Sequence, residues 1–341
     1  MVKEGVPMAA TLKDVAEKAG VSIRTAGRAL RGVGPVRGEV AERVLAAARS
    51  LHYVPNAAAR SLKQRSSRIV GVVTGSIGGT EAGQRRMRML EEAFRIRRLH
   101  TLVGALPGSF GELENLLREW NGLVSHVIFL SWPAPWDAAK LRGYPLRFLF
   151  LDCGPRLEGF DNLLVDRPSG IRSAVHELIL AGARRIAHVS SPVAVGRHSG
   201  FHAAVEANPA VETFTIETEG LDFRHGYQAG PKLRQLRIDA AFFDTDRMAL
   251  GFYRYAHEHG ISIPDDIAVA GFDDDSACAY AIPTLTSVAH PDREAVDRIA
   301  AIVTGPAEAP AKTEILPTRL VSRESSANRK TYPKSPNKGD V

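Results

Sequence analysis

Cysteine is almost absent from this sequence. Among 341 residues only Cys153 and Cys278 occur, and no Cys-x-x-Cys pair is present. A disulfide framework and a zinc module built on cysteine are therefore excluded, and both thiols are expected in the core. No motif points to a bound organic group either, so we expect neither a metal nor a cofactor.

Long apolar runs are absent as well. No stretch of about 18 uncharged apolar residues occurs, and residues 1–20 contain no apolar segment of the signal-peptide kind. The sequence therefore predicts a cytoplasmic protein with no membrane contact. Because one compact core seldom exceeds roughly 200 residues, we expect two or three folding units.

Acidic residues are scarce only in the first fifth of the chain. Residues 1–68 hold 13 Lys and Arg against 5 Asp and Glu, a net charge of +8, whereas the rest of the chain carries −2. A small basic unit joined to a nearly neutral one is typical of a protein that binds a polyanion at one end.

Three short apolar stripes in this basic region predict three helices. Thr11 and Asp14 are spaced to cap the first helix, Gly20 ends it, and Ser22 caps the second. A third helix would close a small core, which makes a helix-turn-helix. The stripes consist of Leu12, Val15, Ala16 and Ala19; of Ile23, Ala26 and Leu30; and of Val40, Val44, Leu45, Ala48 and Leu51.

The second helix has the residues to read DNA near its N-terminal end, namely Ile23, Arg24, Thr25 and Arg28. An arginine can donate two hydrogen bonds to guanine, and a good pair discriminates between bases by roughly 1 to 3 kcal/mol. The alternative is that Arg24 and Arg28 are merely solvated helix charges.

The stretches TLKDVAEKAGVS, RTAGRALRG and ERVLAAARSLHYVPNAAARSLK together resemble the DNA-binding headpiece of the LacI/GalR family of bacterial repressors. The resemblance implies a transcriptional regulator, most often a repressor, that binds double-stranded DNA at a palindromic operator as a homodimer. Two departures are Ala26-Gly27, where the family usually has Val-Ser, and Arg37, where it has a Ser or Thr cap. The implied DNA contacts are Thr11, Ser22, Ile23, Arg24, Thr25, Arg28, Asn56, Ala59, Leu62 and Lys63.

Residues 55–68 would link this headpiece, residues 1–54, to the rest of the chain. A helix of about seven residues is marginal alone in water, so its order has to come from a partner. The resemblance implies a hinge helix that forms when two subunits meet on DNA, with Leu62 inserted into the minor groove. A plain interdomain linker is the alternative. At the other end, residues 326–341 are expected to be a disordered tail.

From residue 69 to 325, β-rich runs alternate with helical segments. The runs are IVGVV, TLVGAL, HVIFLS, RFLFLD, NLLVD, RRIAHVS, TFTIET, AAFFD and IAVAGFD, and helices are expected over 85–98, 169–181, 197–207 and 246–259. This alternation predicts an α/β fold with two open, doubly wound parallel sheets.

The stretches VDRPSGIRSAVHELILAGARRIAHVS, RHSGF, DRMALGFYRYAHEHGISIPDDIAVAGFDD and PTLTSV are similar to the family's two-lobed ligand domain, which resembles the type I periplasmic sugar-binding proteins. The resemblance implies dimerisation through this domain and crossovers between its lobes near residues 165, 290 and 317. It also implies a small-molecule effector, a sugar or derivative, bound at the carboxyl ends of the strands. The implied effector residues are Arg197, Asp273, Phe223, Thr245 and Asp166.

The chemistry of Arg197 and Asp273 suits a sugar, because a carboxylate accepts from neighbouring hydroxyls and a guanidinium donates in a fixed fork. The alternative is that the two residues only pair with each other. The loop TGSIGGTEAGQ departs from the family's proline- and phenylalanine-bearing ligand loop, which leaves a ligand-independent regulator as a second possibility. A cytosolic sugar receptor is a third.

Enzyme interpretations are weaker, and we expect no enzyme. Glu81 replaces a glycine that a dinucleotide-binding turn needs, and Thr74 replaces the first glycine of a nucleophile elbow. His198 and His202 have the spacing of a zinc protease pair, but Ser199 stands in place of its glutamate.

Overall fold

The computed structural model describes residues 10–30, 32–53, 67–75, 79–133, 135–192, 194, 196–206, 208–306 and 308–327. The chain divides into two compact units after Ser67. None of the described helices is long and apolar enough to cross a membrane.

In its described residues, 10–30, 32–53 and 67, the first unit contains three helices: α1 (Leu12–Ala19), α2 (Ile23–Ala29) and α3 (Gly38–Ser50). Gly20 ends α1 in the left-handed conformation at φ 65°, which costs a glycine little. Buried apolar side chains of all three helices form one core, including Val15, Ala26 and Val44, which are fully buried. The predicted helix-turn-helix is therefore confirmed.

Three residues of the predicted apolar stripes lie outside this core: Ile23, Leu45 and the partly buried Val40. Ile23 is 51% exposed and Leu45 is 41% exposed. Ile23 is the first residue of α2, and the buried residues of this helix are Ala26, Gly27 and Ala29. In α3 the small side chain of Ala47 is buried instead of Leu45.

The described residues of the second unit form two six-stranded sheets, and we call each sheet with its helices a lobe. The strands of lobe 1 are β1 (Ile69–Thr74), β2 (His100–Ala105), β3 (His126–Phe129), β4 (Arg147–Leu151), β5 (Asp161–Asp166) and β11 (Thr313–Pro317). Those of lobe 2 are β6 (Arg185–Ser190), β7 (Glu212–Glu217), β8 (Ala240–Phe243), β9 (Ala268–Asp273), β10 (Thr286–Ala289) and β12 (Arg319–Val321).

The strand order is β11-β5-β4-β3-β1-β2 in lobe 1 and β12-β10-β9-β8-β6-β7 in lobe 2. Every pairing is parallel except that of β12 with β10. The helices are α4 (Glu81–Ile96), α5 (Phe110–Trp120), α6 (Arg167–Leu180), α7 (His198–Glu206), α8 (Phe223–Gln235), α9 (Asp246–Glu258) and α10 (Asp292–Thr304).

Helices cover both faces of each sheet. In lobe 1, α4 and α10 share one core with the strands, and α5 packs on the opposite face. In lobe 2, α8 and α9 pack on one face, while α6 and α7 pack on the other. The predicted doubly wound α/β fold is confirmed, and all strand carboxyl ends of a parallel sheet meet at one edge.

The chain passes between the lobes three times. It leaves lobe 1 where β5 runs directly into α6, and it returns where β10 is followed by α10. The third passage is the single residue Thr318 between β11 and β12, whose hydroxyl donates to the Asp166 carbonyl oxygen at 2.8 Å. The passages lie beside one another at the strand ends.

Helices α8 and α9 cross with their backbones in contact. A Cβ on Gly226 would lie 1.7 Å from the Met248 carbonyl oxygen, and one on Gly251 would lie 1.8 Å from that of Phe223. Only glycine fits at such an approach. The start of α9, which carries Asp246, is thereby held against α8.

Candidate DNA-reading helix and effector cleft

Helix α2 presents a polar and apolar surface that the headpiece core does not use. Arg24 and Arg28 are exposed and lie one turn apart on one face, and Ile23 stands beside them half exposed. Thr25 is partly buried. Two guanidinium forks and an aliphatic side chain suit guanine edges and a thymine methyl group in the major groove.

Hydroxyl groups fix the starts of α1 and α2. The Thr11 hydroxyl accepts from the Asp14 amide, and the Asp14 carboxylate accepts from the Thr11 amide at 2.7 Å. These hydrogen bonds from Thr11 lower the pKa of Asp14. The Ser22 hydroxyl accepts from the Thr25 amide at 3.1 Å. Thr11 and Ser22 are thus the N-cap residues that fix where the two helices begin.

The two positions at which the headpiece departs from the family pattern, Ala26-Gly27 and Arg37, can be located in the structure. Ala26 and Gly27 are both buried, so neither presents a side chain to DNA. Arg37 precedes α3 without a side-chain cap.

Some of the predicted features fall outside the part of the chain that the structure describes. The hinge positions Asn56, Ala59, Leu62 and Lys63 lie there, and their DNA contacts stay predictions. Residues 76–78 of the unusual loop and residues 328–341 of the predicted tail also lie outside the described residues. Ser326, with which the predicted tail of residues 326–341 began, is described and is buried at the end of a 3-10 helix (Glu324–Ser326).

Arg197 and Asp273 are brought together at the carboxyl edge of lobe 2. Arg197 donates through Nη2 to Asp273 Oδ1 at 3.2 Å, and His290 Nε2 lies 3.1 Å from the same oxygen. The Arg197 guanidinium also lies over the Phe272 ring at 4.4 Å. Both members of the ion pair are more than nine-tenths buried, so the pair is a desolvated contact.

Asp273 ends β9 in an unusual state. Burial acts to raise its pKa, but the positive charge of Arg197 and the hydrogen bond from His290 outweigh it, so the pKa lies below its ordinary value. Its φ is 112°, a conformation that side-chain-bearing residues rarely adopt. Strain of this kind persists where surrounding contacts hold a residue in place.

Arg85 of α4 supplies such contacts from lobe 1. Its guanidinium donates to the carbonyl oxygens of Asp273 and Asp274, at 3.0 and 3.1 Å, and to the carboxylate of Asp292 at 3.0 Å. Glu81, one turn earlier, accepts from the Ser276 amide at 2.9 Å. Hydrogen bonds from α4 of lobe 1 therefore hold the loop that follows β9 of lobe 2.

A further ion pair lies at the first crossover. Arg167, the first residue of α6, donates to Asp152 Oδ2 at 2.5 Å. Burial lowers the pKa of the Arg167 guanidinium, Asp152 counteracts this, and the charges of Arg197 and Arg86 lower the pKa further. Arg86 in turn donates to Asp292 Oδ1 at 2.9 Å.

Asp246, the first residue of α9, is a fully buried carboxyl group near these ion pairs. It accepts from the Ser287 hydroxyl at 2.6 Å and from the Asp275 amide at 2.9 Å. Burial raises the pKa of Asp246 well above its ordinary value, and the charge of Asp273 adds to this. Burial also raises the pKa of Asp275 to about 6. Carboxyl groups with strongly raised pKa values are common at functional sites.

The other predicted effector residues occupy structural positions near the strand ends. Thr245 caps α9, accepts from the Met248 amide and donates to the Leu221 carbonyl oxygen. Asp166 caps α6 through the Ser169 amide. Phe223 begins α8, is 48% exposed and lies under the Arg247 guanidinium. Within the described part of the chain, no hydrogen bond or ion pair joins these three side chains to Arg197 or Asp273.

Several residues in this polar cluster went unpredicted, among them Arg85, Arg86, Asp152, Arg167 and Asp275. Asp152 and Arg167 directly follow β4 and β5, so the rule that ligands bind beyond strand carboxyl ends would have found them. Arg86 lies within a helix rich in arginine, where its burial leaves no mark in the sequence.

Comparison with known proteins bears on both units. Residues 11–56 match the profile of bacterial regulatory proteins of the lacI family, and residues 175–326 match a periplasmic binding protein-like domain. The transcriptional regulator GntR of Pseudomonas aeruginosa is 31% identical over 305 residues, covering 85% of this chain and 87% of that protein. The chain belongs to the LacI family of bacterial regulatory proteins.

This LacI-family chain is also similar to solved structures. One shows the lac repressor dimer bound to operator and to the anti-inducer ONPF, with a TM-score of 0.79, 26% identity, and coverage of 93% of this chain and 99% of that one. Another is a complex of the transcriptional regulator CelR with cellobiose, with a TM-score of 0.64 and the same identity and coverage. These relatives are transcriptional regulators, not enzymes.

Proposed function

We propose that this LacI-family chain is a transcriptional regulator, without enzymatic activity, that binds a near-palindromic operator as a homodimer under the control of a small carbohydrate-like effector. Residues 1–54 would read DNA, 55–68 would link, and 69–325 would bind the effector and dimerise. Operator DNA lies in the cytoplasm, so the proposal places the protein there. Repression is the action most consistent with its relatives.

The observation that carries the DNA-binding role is the exposed surface of α2. Arg24, Arg28 and Ile23 stand in solvent on a short helix whose buried side consists of small residues. A single headpiece of this size reads only a few base pairs, so two copies related by a two-fold axis are needed for a specific site.

The effector role is supported by the position of the Arg197–Asp273 pair. It lies at the strand ends of lobe 2, and Asp273 is also held by Arg85 from lobe 1. A ligand that competes for Asp273 would therefore alter contacts between the lobes. Ligand and operator affinities would then be coupled reciprocally, typically by about 1 to 3 kcal/mol.

Selection of binding sites from random DNA tests the main proposal. The full-length chain should select an inverted repeat, and Arg24→Ala should relax preference at one base position in each half-site. Arg49→Ala, which removes an exposed arginine from the end of α3, is the matched control and should leave the motif unchanged. Selection of one asymmetric half-site, or an unaltered motif with Arg24→Ala, would contradict the proposal.

The direct contact between Arg197 and Asp273 favours a second candidate, a regulator without an effector. In that case the ion pair would only stabilise lobe 2. Operator affinity that no sugar, sugar acid or sugar phosphate changes would support this candidate.

A further inference from the structure

Several buried polar atoms around the cleft make no hydrogen bond within the part of the chain that the structure describes. Buried polar groups are normally paired, and leaving one unpaired destabilises the fold. Three of the side chains concerned, those of Ser191, Arg197 and Asp275, are more than nine-tenths buried. The atoms are Arg167 Nε, Arg197 Nη1, Ser191 Oγ, Asp275 Oδ1 and His290 Nδ1.

Three of these atoms belong to residues that directly follow a strand, two of them at crossovers between the lobes. Arg167 begins α6, His290 follows β10, and Ser191 follows β6. A Cβ on Gly200 would lie 2.7 Å from Pro168 Cα, so the start of α7, which directly follows Arg197, packs against the start of α6, which carries Arg167. The unpaired nitrogens of Arg167 and Arg197 therefore belong to one region rather than to scattered positions.

Positive charge exceeds negative charge in the direct ion pairs of this region. Four guanidinium groups share three carboxylates, because Asp152 pairs with Arg167, Asp273 pairs with Arg197, and Asp292 serves both remaining arginines, Arg85 and Arg86. The carboxyl groups of Glu81 and Asp275 also interact with the charge of Arg85.

We propose that the effector is an anionic polyhydroxylated compound, a sugar acid or a sugar phosphate, whose acidic group is bound by Arg167 and Arg197. This inference rests on the proposed effector-controlled function and names its ligand class. The unpaired guanidinium nitrogens donate to the acidic oxygens, as arginine forks do for carboxylate and phosphate. The anion also offsets the mutual repulsion of the guanidinium groups.

The remaining unpaired atoms suit the hydroxyl groups of the same ligand. Asp275 Oδ1 accepts a hydrogen bond, and Ser191 Oγ donates or accepts one. A neutral sugar would satisfy these two atoms but would leave the unpaired guanidinium nitrogens of Arg167 and Arg197 without an acidic acceptor. A bare anion would do the opposite. The combination selects a molecule with both kinds of group.

Calorimetry on the full-length protein tests this with matched sets of ligands: D-glucose, D-gluconate and D-glucose 6-phosphate, and the corresponding galactose and xylose compounds. Inorganic phosphate alone reports on the acidic group. We expect at least one acidic compound to bind about tenfold or more tightly than its neutral parent. The affinity of this compound should fall with rising salt concentration. Comparing the sugar acid with the sugar phosphate shows whether the site binds a carboxylate or a phosphate group.

Variants of Arg167 distinguish an effect of its positive charge on ligand binding from an effect on folding. Arg167→Met should remove the preference for the acidic compound, whereas Arg167→Lys should keep part of it. Arg172→Met, which removes an exposed arginine one turn later in α6, is the control and should bind as the wild type does. Operator binding and the unfolding midpoint of each variant show that it is folded.

The outcomes distinguish this inference from the function on which it rests. Equal binding of the neutral and acidic members, or acidic preference that survives in Arg167→Met, would overturn the anionic site and leave effector control intact. If no compound binds and none changes operator affinity, both fail together.

Discussion

Removing Asp273 alone should destabilise the second unit more than replacing it together with Arg197. Asp273→Ala leaves the Arg197 guanidinium buried with no carboxylate, and breaking one side of a buried pair typically costs about 3 to 5 kcal/mol. It also removes the acceptor of His290. The combined variant Arg197→Met with Asp273→Ala removes the stranded charge, so we expect it to be more stable than Asp273→Ala alone.

Urea denaturation of the full-length protein, followed by far-UV circular dichroism, measures these differences. The two changes should be non-additive by about 1 to 3 kcal/mol, as is typical for residues in contact. Acid titration gives a second readout. Because the pKa of Asp273 is lowered on folding, its contribution to stability is complete above its ordinary value of 3.8 and is lost as the pH falls below it.

A result in which Asp273→Ala costs under about 1 kcal/mol would refute this reasoning. So would strict additivity of the two changes, since it would show that the pair does not interact. Asp274→Ala is a useful control, because the Asp274 side chain is partly exposed and pairs with Arg323 rather than with Arg197.

Three further outcomes follow from the structure. Arg37→Ser should stabilise the first unit by about 0.5 to 2 kcal/mol, seen as a higher unfolding midpoint, because α3 now starts without a side-chain cap; an unchanged midpoint would mean that the helix start frays. Gly251→Ala should destabilise lobe 2 by about 1 to 3 kcal/mol or more, since its Cβ would meet a main-chain oxygen, whereas Gly143→Ala meets nothing and should be tolerated. Burial raises the pKa of Asp275 to about 6, so its contribution to stability is greatest below its ordinary pKa and is lost as the pH rises through 6; Asp275→Asn should remove this dependence, and an identical pH profile in the variant would contradict it.

Sequence periodicity predicts the headpiece and the strands with alternating or fully apolar runs. All nine predicted strands are present, because each is a local run that the sheet and its helices bury. Strands β10, β11 and β12 were not predicted. β11 and β12 are short and exposed at sheet edges, and β10 mixes polar with small residues, so none carries a strong apolar pattern.

The cleft was predictable only in part. Residues that directly follow or end strands, such as Asp273, could be placed at the site from the sequence pattern and the family resemblance. The pairing partners could not, because they depend on how distant segments cross. Arg85 lies 188 residues before Asp273, whose main-chain oxygen it binds. No periodicity within either segment encodes that contact.

The three passages between the lobes also bear on synthesis of the protein. Lobe 1 needs α10 and β11 for its sheet and core, and lobe 2 needs β12 at its edge. Lobe 1 is complete only when the ribosome has added β11, which ends at Pro317, and lobe 2 only when it has added β12, which ends at Val321, whereas the helices of the headpiece end at Ser50. A nascent chain would therefore carry a finished DNA-reading unit long before either half of the effector domain could close, and a premature stop that removes β11 would leave both lobes unfinished.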